Sequence, residues 1–256
     1  MRTVKSIFCM IVGIIILGSM TTPTMADIIV PYDTSFETDS VNSMPAGWGS
    51  SLQPDTGAIQ VVTGSSTGGQ GANQHVLEFN GTDTGSWYTK TVFDAIENKI
   101  VVVEFKFKIA DVANNEMDFA FRALGDGTGN DMGAYLRVRA DTYMRIQGVS
   151  NTDIYMSNLI AGDWYQVKKT IDLTNGNYDL KVDNLDNTDL AQHVTVNDIP
   201  FLDPSVNDIG LYSIARNSGG NANFQLDDFS INVPEPGSLS LLGLGAVLVA
   251  SHRYGR

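Results

Sequence analysis

Apolar and polar residues alternate with period two over much of the chain, in short runs separated by glycine, asparagine and aspartate. The clearest run follows Lys99 and places these apolar side chains on one face: Val101, Val103, Phe105, Phe107 and Ile109. Glu104, Lys106 and Lys108 occupy positions between them. Strict alternation of this kind indicates a β-strand with one buried face.

The same alternation recurs in residues 117–122, 135–139 and 143–147, and residues 208–216 and 222–232 are predicted as the last strands. Residues 163–182 predict a hairpin, in which Asn175-Gly176 forms the turn and one side is lined by Tyr165, Val167, Ile171 and Leu173. No stretch has the pattern of an amphipathic helix of three turns, and residues 64–74 predict a long surface loop. Roughly a dozen short strands predict one all-β domain over residues 27–232, an antiparallel two-sheet sandwich.

The two ends of the chain differ from this body. Residues 1–26 begin with the bases Arg2 and Lys5, continue with an apolar run and end with small residues before Asp27, the pattern of a secretory signal peptide with an apolar helix. The run is too short to span a bilayer, which takes about 20 helical residues. The single cysteine, Cys9, lies within this segment, so the exported protein is expected to contain no disulfide.

Residues 233–256 contain Pro234, Glu235 and Pro236, then a short hydrophobic helix and a basic end. This tail resembles the PEP-CTERM sorting signal of Gram-negative bacteria. The resemblance implies export, transient membrane anchoring through the C-terminal helix, processing by an exosortase-type peptidase, and delivery to the cell surface or extracellular matrix. The alternative is a plain tail anchor. In both cases, the membrane is contacted only through the terminal segments.

Charge limits the partners of the body. The chain has 16 Lys and Arg against 29 Asp and Glu, a formal charge of −13, and residues 27–232 hold 28 of the acids and 12 of the bases, a net −16. A general nucleic-acid binder needs a basic surface that replaces the counterions of phosphate. We therefore expect no nucleic-acid partner.

Several short motifs of the body resemble concanavalin A-like lectins and glucanases. They are Ser35-Phe36-Glu37, Pro45-Ala46-Gly47-Trp48, Trp164-Tyr165 and the closing residues 226–231, Leu-Asp-Asp-Phe-Ser-Ile. The resemblance implies a jelly-roll sandwich. It leaves function open, because this fold is found in lectins, hydrolases, lyases and adhesion modules.

The sharpest enzymatic signal is Glu116-Met117-Asp118, which is similar to the catalytic strand of laminarinase-like members of this superfamily. Those enzymes carry a second glutamate on the strand as acid/base, and glycoside hydrolysis needs both carboxylates. Position 120 is alanine and 121 is phenylalanine. We expect no catalytic activity. The alternative is a polysaccharide-degrading hydrolase, or a lyase that uses Arg137 with a nearby tyrosine.

A cationic and aromatic face is the strongest candidate for binding. The alternation places Arg122, Tyr135, Arg137, Arg139, Tyr143 and Arg145 opposite the apolar positions of three strands. If these strands are neighbours, guanidinium groups that pair with carboxylate or sulfate lie beside tyrosine rings that stack on sugars, which suits an acidic polysaccharide. The alternative is a solvated face whose arginines pair with Asp118, Asp131 and Asp141. Trp48, Trp87 and Trp164 are further sugar-stacking candidates, with core packing as the alternative.

Calcium is the cofactor that the resemblance implies. In related jelly rolls, a structural ion joins a glutamate near the first strand to an aspartate on the last, and the matching residues here are Glu37 and Asp228. Oxygen ligands suit this hard cation. The alternative is that Asp227-Asp228 only caps or pairs at a strand edge. Together these features predict an exported, non-catalytic, lectin-like protein that binds polysaccharide, with a purely structural matrix component as a further alternative.

Overall fold

The computed structural model describes residues 29–50, 59–64, 74–79, 87–109, 118–124, 132–139, 143–146, 154–157, 159–217 and 224–234. These residues form strands β1 (Tyr32–Thr34), β2 (Trp48–Ser50), β3 (Ile59–Thr63), β4 (His75–Phe79), β5 (Trp87–Glu97), β6 (Ile100–Ile109), β7 (Asp118–Leu124), β8 (Met132–Arg139), β9 (Tyr143–Ile146), β10 (Ile154–Ser157), β11 (Trp164–Asp172), β12 (Asn177–Asn184), β13 (His193–Pro200), β14 (Asp208–Asn217) and β15 (Phe224–Asn232). A 3-10 turn (Leu190–Gln192) precedes β13.

The strands form two sheets in which paired neighbours run antiparallel. One sheet has the order β13-β12-β11-β6-β15-β4-β3, with β1 also pairing with β15, and the other has the order β10-β9-β8-β7-β14-β5-β2. The predicted all-β, two-sheet sandwich is therefore confirmed. The predicted terminal helices, in residues 1–26 and 233–256, lie outside the described residues except for Val233 and Pro234.

The core lies between the two sheets, and the alternation along β6 explains how it forms. Val101, Val103, Phe105 and Phe107 are each at most 1% exposed. Phe107 stacks on Tyr165 from β11 and on Phe224 from β15, with ring centroids 5.2 and 5.7 Å apart. Alternate side chains of a strand point to opposite faces, so β6 uses one face for the core, as its sequence predicts.

The hairpin of β11 and β12 is confirmed, but its turn is wider than the predicted two residues. β11 ends at Asp172 and β12 begins at Asn177. The Asp172 carboxylate accepts hydrogen bonds from the backbone N–H groups of Thr174 and Asn175 and from the Asn175 side chain. Gly176 then has a φ of +67°, which glycine adopts without steric cost. The aspartate therefore organises a four-residue turn, which the Asn-Gly pair alone does not reveal.

A lysine side chain lies between the two sheets. Lys169 of β11 is 0% exposed and faces the other sheet, where its Nζ lies 5.5 Å from the ring centroid of Tyr212. Burial lowers the pKa of Lys169 to about 7 and raises that of Tyr212 well above its usual range. Among the described residues, none forms a hydrogen bond with the Tyr212 hydroxyl. The sandwich therefore encloses a polar pair at a position where the alternation predicts an apolar residue.

Candidate functional site

Strands β7, β8 and β9 are neighbours in the seven-stranded sheet. Their register sets Arg122 opposite Tyr135, Arg137 opposite Arg145, and Arg139 opposite Tyr143. Residues that face each other across an antiparallel pair lie on the same face of the sheet, with Cα atoms about 4.5–5.5 Å apart. The six predicted ligand residues therefore share one face.

This face is the one turned away from the core. On β8 the intervening residues Ala134 and Leu136 are 0% exposed and belong to the core, as does Ile214 on β14. The six positions alternate with these buried ones, so they lie on the outer side of the sheet. We name this side the arginine face.

Three further strands add residues to the arginine face that sequence reasoning missed. Tyr88 on β5 is opposite Ala215, Lys90 is opposite Ser213, and Tyr155 on β10 is opposite Arg145. Ser213 is 3% exposed. The alternation shows that Tyr88 and Lys90 share a face, but the placement of β14 between β5 and β7 is a long-range pairing that no local pattern reveals.

Two of the three tryptophans are unavailable for stacking on sugars. Trp48 is 5% exposed and its Nε1 donates to the Tyr32 hydroxyl at 3.2 Å. Trp164 is 0% exposed and the Nζ of Lys108 lies 5.0 Å from its ring centroid. Both are therefore packing residues. Trp87 is the first residue of β5.

The chain leaves the sandwich close to where it enters. Ile29, Val30 and Val233 line one cleft of about 260 Å³, together with Asp94, Glu97 and Lys99. β15 ends at Asn232, and the family model described as the PEP-CTERM protein-sorting motif matches residues 232–253. The chain carries this sorting motif.

The sorting motif is a signal for export and for processing by an exosortase, so the protein is an exported one. It begins at the last residue of β15, with Val233 packed against the core. Among the described residues, no helix is long and apolar enough to cross a bilayer. No curated protein matches the sequence of this chain.

Solved structures share the fold at low sequence identity. A sialidase matches with a TM-score of 0.54 at 14% identity over 78% of this chain, although the chain spans only 18% of that protein. The catalytic domain of a glycoside hydrolase family 131 protein from Coprinopsis cinerea matches with a TM-score of 0.53 at 13% identity, over 80% of this chain and 94% of that domain. The lectin UEA-II, complexed with galactose, is similar with a TM-score of 0.47 at 11% identity, over 78% and 98% of the two chains. The fold is the concanavalin A-like jelly roll.

Only one residue of the motif Glu116-Met117-Asp118, which resembles a catalytic strand, lies within the described residues. Glu116 and Met117 lie outside the described residues, and Asp118 is the first residue of β7. Asp118 is directly opposite Arg139 on one side and Asn217 on the other. The next position on the arginine face is Ala120, which has no carboxyl group. A strand of this composition supplies no second carboxylate for a two-acid hydrolysis.

The predicted calcium ligands lie at the start and end of the sandwich. Glu37 follows β1, and its Oε1 accepts the backbone N–H of His75 at 3.1 Å. The Asp228 carboxylate pairs with the Lys106 Nζ at 2.5 Å. Its backbone has a φ of +47° where the pairing of β15 with β6 is interrupted by a bulge. The ion pair with Lys106 is the alternative that the sequence left open for Asp228.

Asp227, the residue before Asp228, is the buried one of these two acids. Asp227 is 1% exposed, and its Oδ1 accepts the backbone N–H of Asp228 at 2.8 Å. Burial, together with the negative charges of Asp228 and Glu37, raises the pKa of the Asp227 carboxyl to about 7. In the described part of the chain, no three His, Cys, Asp or Glu side chains are grouped so that they could hold a metal ion by themselves.

Proposed function

We propose that this exported protein is a non-catalytic polysaccharide-binding jelly roll that is sorted to the surface or extracellular matrix of a Gram-negative bacterium. The observation that carries the proposal is the register of β7, β8 and β9, which gathers four arginines and two tyrosines on one outer sheet face. Tyrosine rings and guanidinium groups are suited to contacts with sugar rings and their substituents.

The absence of catalysis rests on the same face. Ala120 occupies the position where a two-carboxylate mechanism needs its second acid, and Asp118 is opposite a base, Arg139. A single carboxylate cannot serve both as the nucleophile and as the acid/base of glycoside hydrolysis. The alternative is a polysaccharide-degrading enzyme of the same fold, a hydrolase or a lyase.

The test combines binding with turnover on the same samples. The exported protein is run in affinity electrophoresis through gels that contain individual polysaccharides, and the same mixtures are assayed for new reducing ends and for unsaturated products. Binding without products is the expected result. Turnover of any polysaccharide would contradict the non-catalytic proposal, and loss of that turnover in Arg137→Ala would locate the enzyme site. Neither binding nor turnover would instead favour a purely structural matrix component.

We further propose that Ca²⁺ joins the two ends of the sandwich, with Glu37 and the Asp227-Asp228 pair as carboxylate ligands. A hard cation suits oxygen donors, and the nearly buried Asp227 is close enough to Glu37 to be affected by its charge. Asp227 is the more buried of the two acids, and the carboxylate of the predicted ligand Asp228 also pairs with Lys106. When bound, the ion would contribute stability, because a ligand that binds only the folded state stabilises it.

A further inference from the structure

One row of the arginine face crosses six strands without an acidic residue in it. The register sets Tyr88 beside Ala215, Ala215 beside Ala120, and Ala120 beside Arg137. Arg145 follows Arg137, and Tyr155 follows Arg145. With neighbouring strands about 4.8 Å apart, the row is about 24 Å long. It is therefore long enough for an extended polymer to cross several strands.

At the centre of this row, the register sets two arginines opposite each other. Arg137 and Arg145 are directly opposed, and like charges at such positions destabilise a sheet. In the adjacent row, by contrast, Arg139 has Asp118 opposite it. Asp118 is only a diagonal neighbour of Arg137, about 7–8 Å away. Among the described residues, Arg145 has no acid opposite it on either side.

A ligand anion would remove this repulsion. A guanidinium group is planar and always charged, and it forms paired hydrogen bonds with carboxylate and sulfate oxygens. The row continues from the pair to the small residues Ala120 and Ala215 on one side, and its two end positions are the tyrosines Tyr88 and Tyr155. These features together describe a site for a charged group on a sugar chain.

We propose that the opposed Arg137 and Arg145 bind the carboxylate or sulfate groups of an anionic polysaccharide, whose chain crosses the strands between Tyr88 and Tyr155. This inference rests on the proposed polysaccharide-binding function and specifies its ligand class. Because residues 27–232 carry a net charge of −16, the attraction is local, and raising the salt concentration is expected to weaken it.

The experiment measures the affinity of the exported protein for a polyuronate, a sulfated polysaccharide and a neutral β-glucan at low and high salt. Charge-assisted hydrogen bonds predict that Arg137→Ala and Arg145→Ala each weaken anionic binding about 10- to 100-fold. Arg139→Ala is expected to have a smaller effect, since Asp118 already faces Arg139. Lys168→Ala is the matched control, because Lys168 pairs with Glu104 on the other sheet and its loss changes the net charge equally.

A second measurement keeps the test independent of any misfolded variant. Arg137→Gln and Arg145→Gln are each expected to raise the melting temperature by about 1–3 °C without polysaccharide, because each removes the repulsion. Unchanged or lower melting temperatures for both variants would overturn the opposed-charge argument. If Lys168→Ala lowered the affinity for anionic polysaccharides as much as Arg137→Ala and Arg145→Ala do, the proposed site would be overturned. Comparison of the affinities for the polyuronate and the sulfated polysaccharide shows whether carboxylate or sulfate is preferred.

Two outcomes separate this inference from the function on which it rests. Binding of the neutral glucan with equal or higher affinity than the anionic polymers would overturn the anionic ligand class and leave polysaccharide binding intact. Failure to bind any of the three polymers at either salt concentration would count against both.

Discussion

Lys169 allows a stringent test of the core, because burial between two sheets favours the uncharged form of a lysine. Burial lowers its pKa from 10.5 to about 7. Between these two values, the unfolded chain holds a proton that the folded chain has released, so the free energy of unfolding rises with pH. The slope is about 1.4 kcal/mol per pH unit in this window.

The perturbation is Lys169→Met, which keeps an unbranched side chain and removes the titrating group. We expect the Met variant to be the more stable at pH 6, where both states of the wild type are largely protonated and a charge is buried. By pH 9.5 the wild type should recover about 3 kcal/mol of this difference. The assay is urea unfolding followed by tryptophan fluorescence at pH 6 to 9.5.

Lys168→Met is the matched control, since Lys168 is the next residue and points to the opposite side of β11. Its side chain is 49% exposed and its Nζ lies 2.6 Å from the Glu104 carboxylate. An exposed ion pair contributes about 0–1 kcal/mol, so this variant should stay within that range of the wild type throughout. A constant difference between wild type and Lys169→Met from pH 6 to 9.5 would refute the reasoning, because it would mean that Lys169 keeps its proton in the core.

Two further predictions concern the sandwich. Chelation of Ca²⁺ should lower the melting temperature by about 5–10 °C relative to saturating Ca²⁺, as expected for roughly 2.7 kcal/mol of binding stabilisation. Glu37→Gln and Asp227→Asn should each abolish this difference. Equal melting temperatures with and without chelator would exclude the ion. Tyr212→Phe removes a buried hydroxyl that has no hydrogen-bond partner among the described residues, so it should leave the free energy of unfolding unchanged or raise it by about 1 kcal/mol. Tyr165→Phe loses the hydrogen bonds with Ile160 and Gln192 and should lower the free energy of unfolding, measured in urea, by about 1–3 kcal/mol. Equal effects of the two variants would contradict this difference in hydrogen bonding.

The sequence predicts which face of a strand each residue lies on, but not which residue it is opposite on the neighbouring strand. The alternation along β6 assigns Val101 to Phe107 to the correct sides, because period two is a local property of an extended chain. The alternation on β7 to β9 likewise puts the arginines on one face. It does not show that Arg137 is opposite Arg145 while Arg139 is opposite Asp118, since register depends on loops and on pairings between distant strands.

The remaining differences arise where a local rule is broken. Lys169 occupies a position of β11 where the alternation predicts an apolar residue. Because the residue is a lysine, only the structure shows that it lies in the core. A bulge between Asp227 and Ser230 shifts the register of β15 against β6, and β-bulges leave a residue unpaired and redirect side chains. Asp227 is therefore the buried acid, and Asp228 is the one paired with Lys106, which the sequence Asp-Asp alone cannot distinguish.

The position of β15 has a mechanical consequence. This strand is hydrogen-bonded to β6 along one edge and to β4 and β1 along the other, and the sorting motif begins at its last residue. Tension applied through the tail would therefore pull β15 along its own axis and shear ladders on both of its edges at once. Detaching it would require many hydrogen bonds to break together, so a chain pulled by its tail would be held by a strand that is paired on both edges. Removal of the residues that follow Asn232 would take away no residue of that strand, and the released domain would keep both sheets.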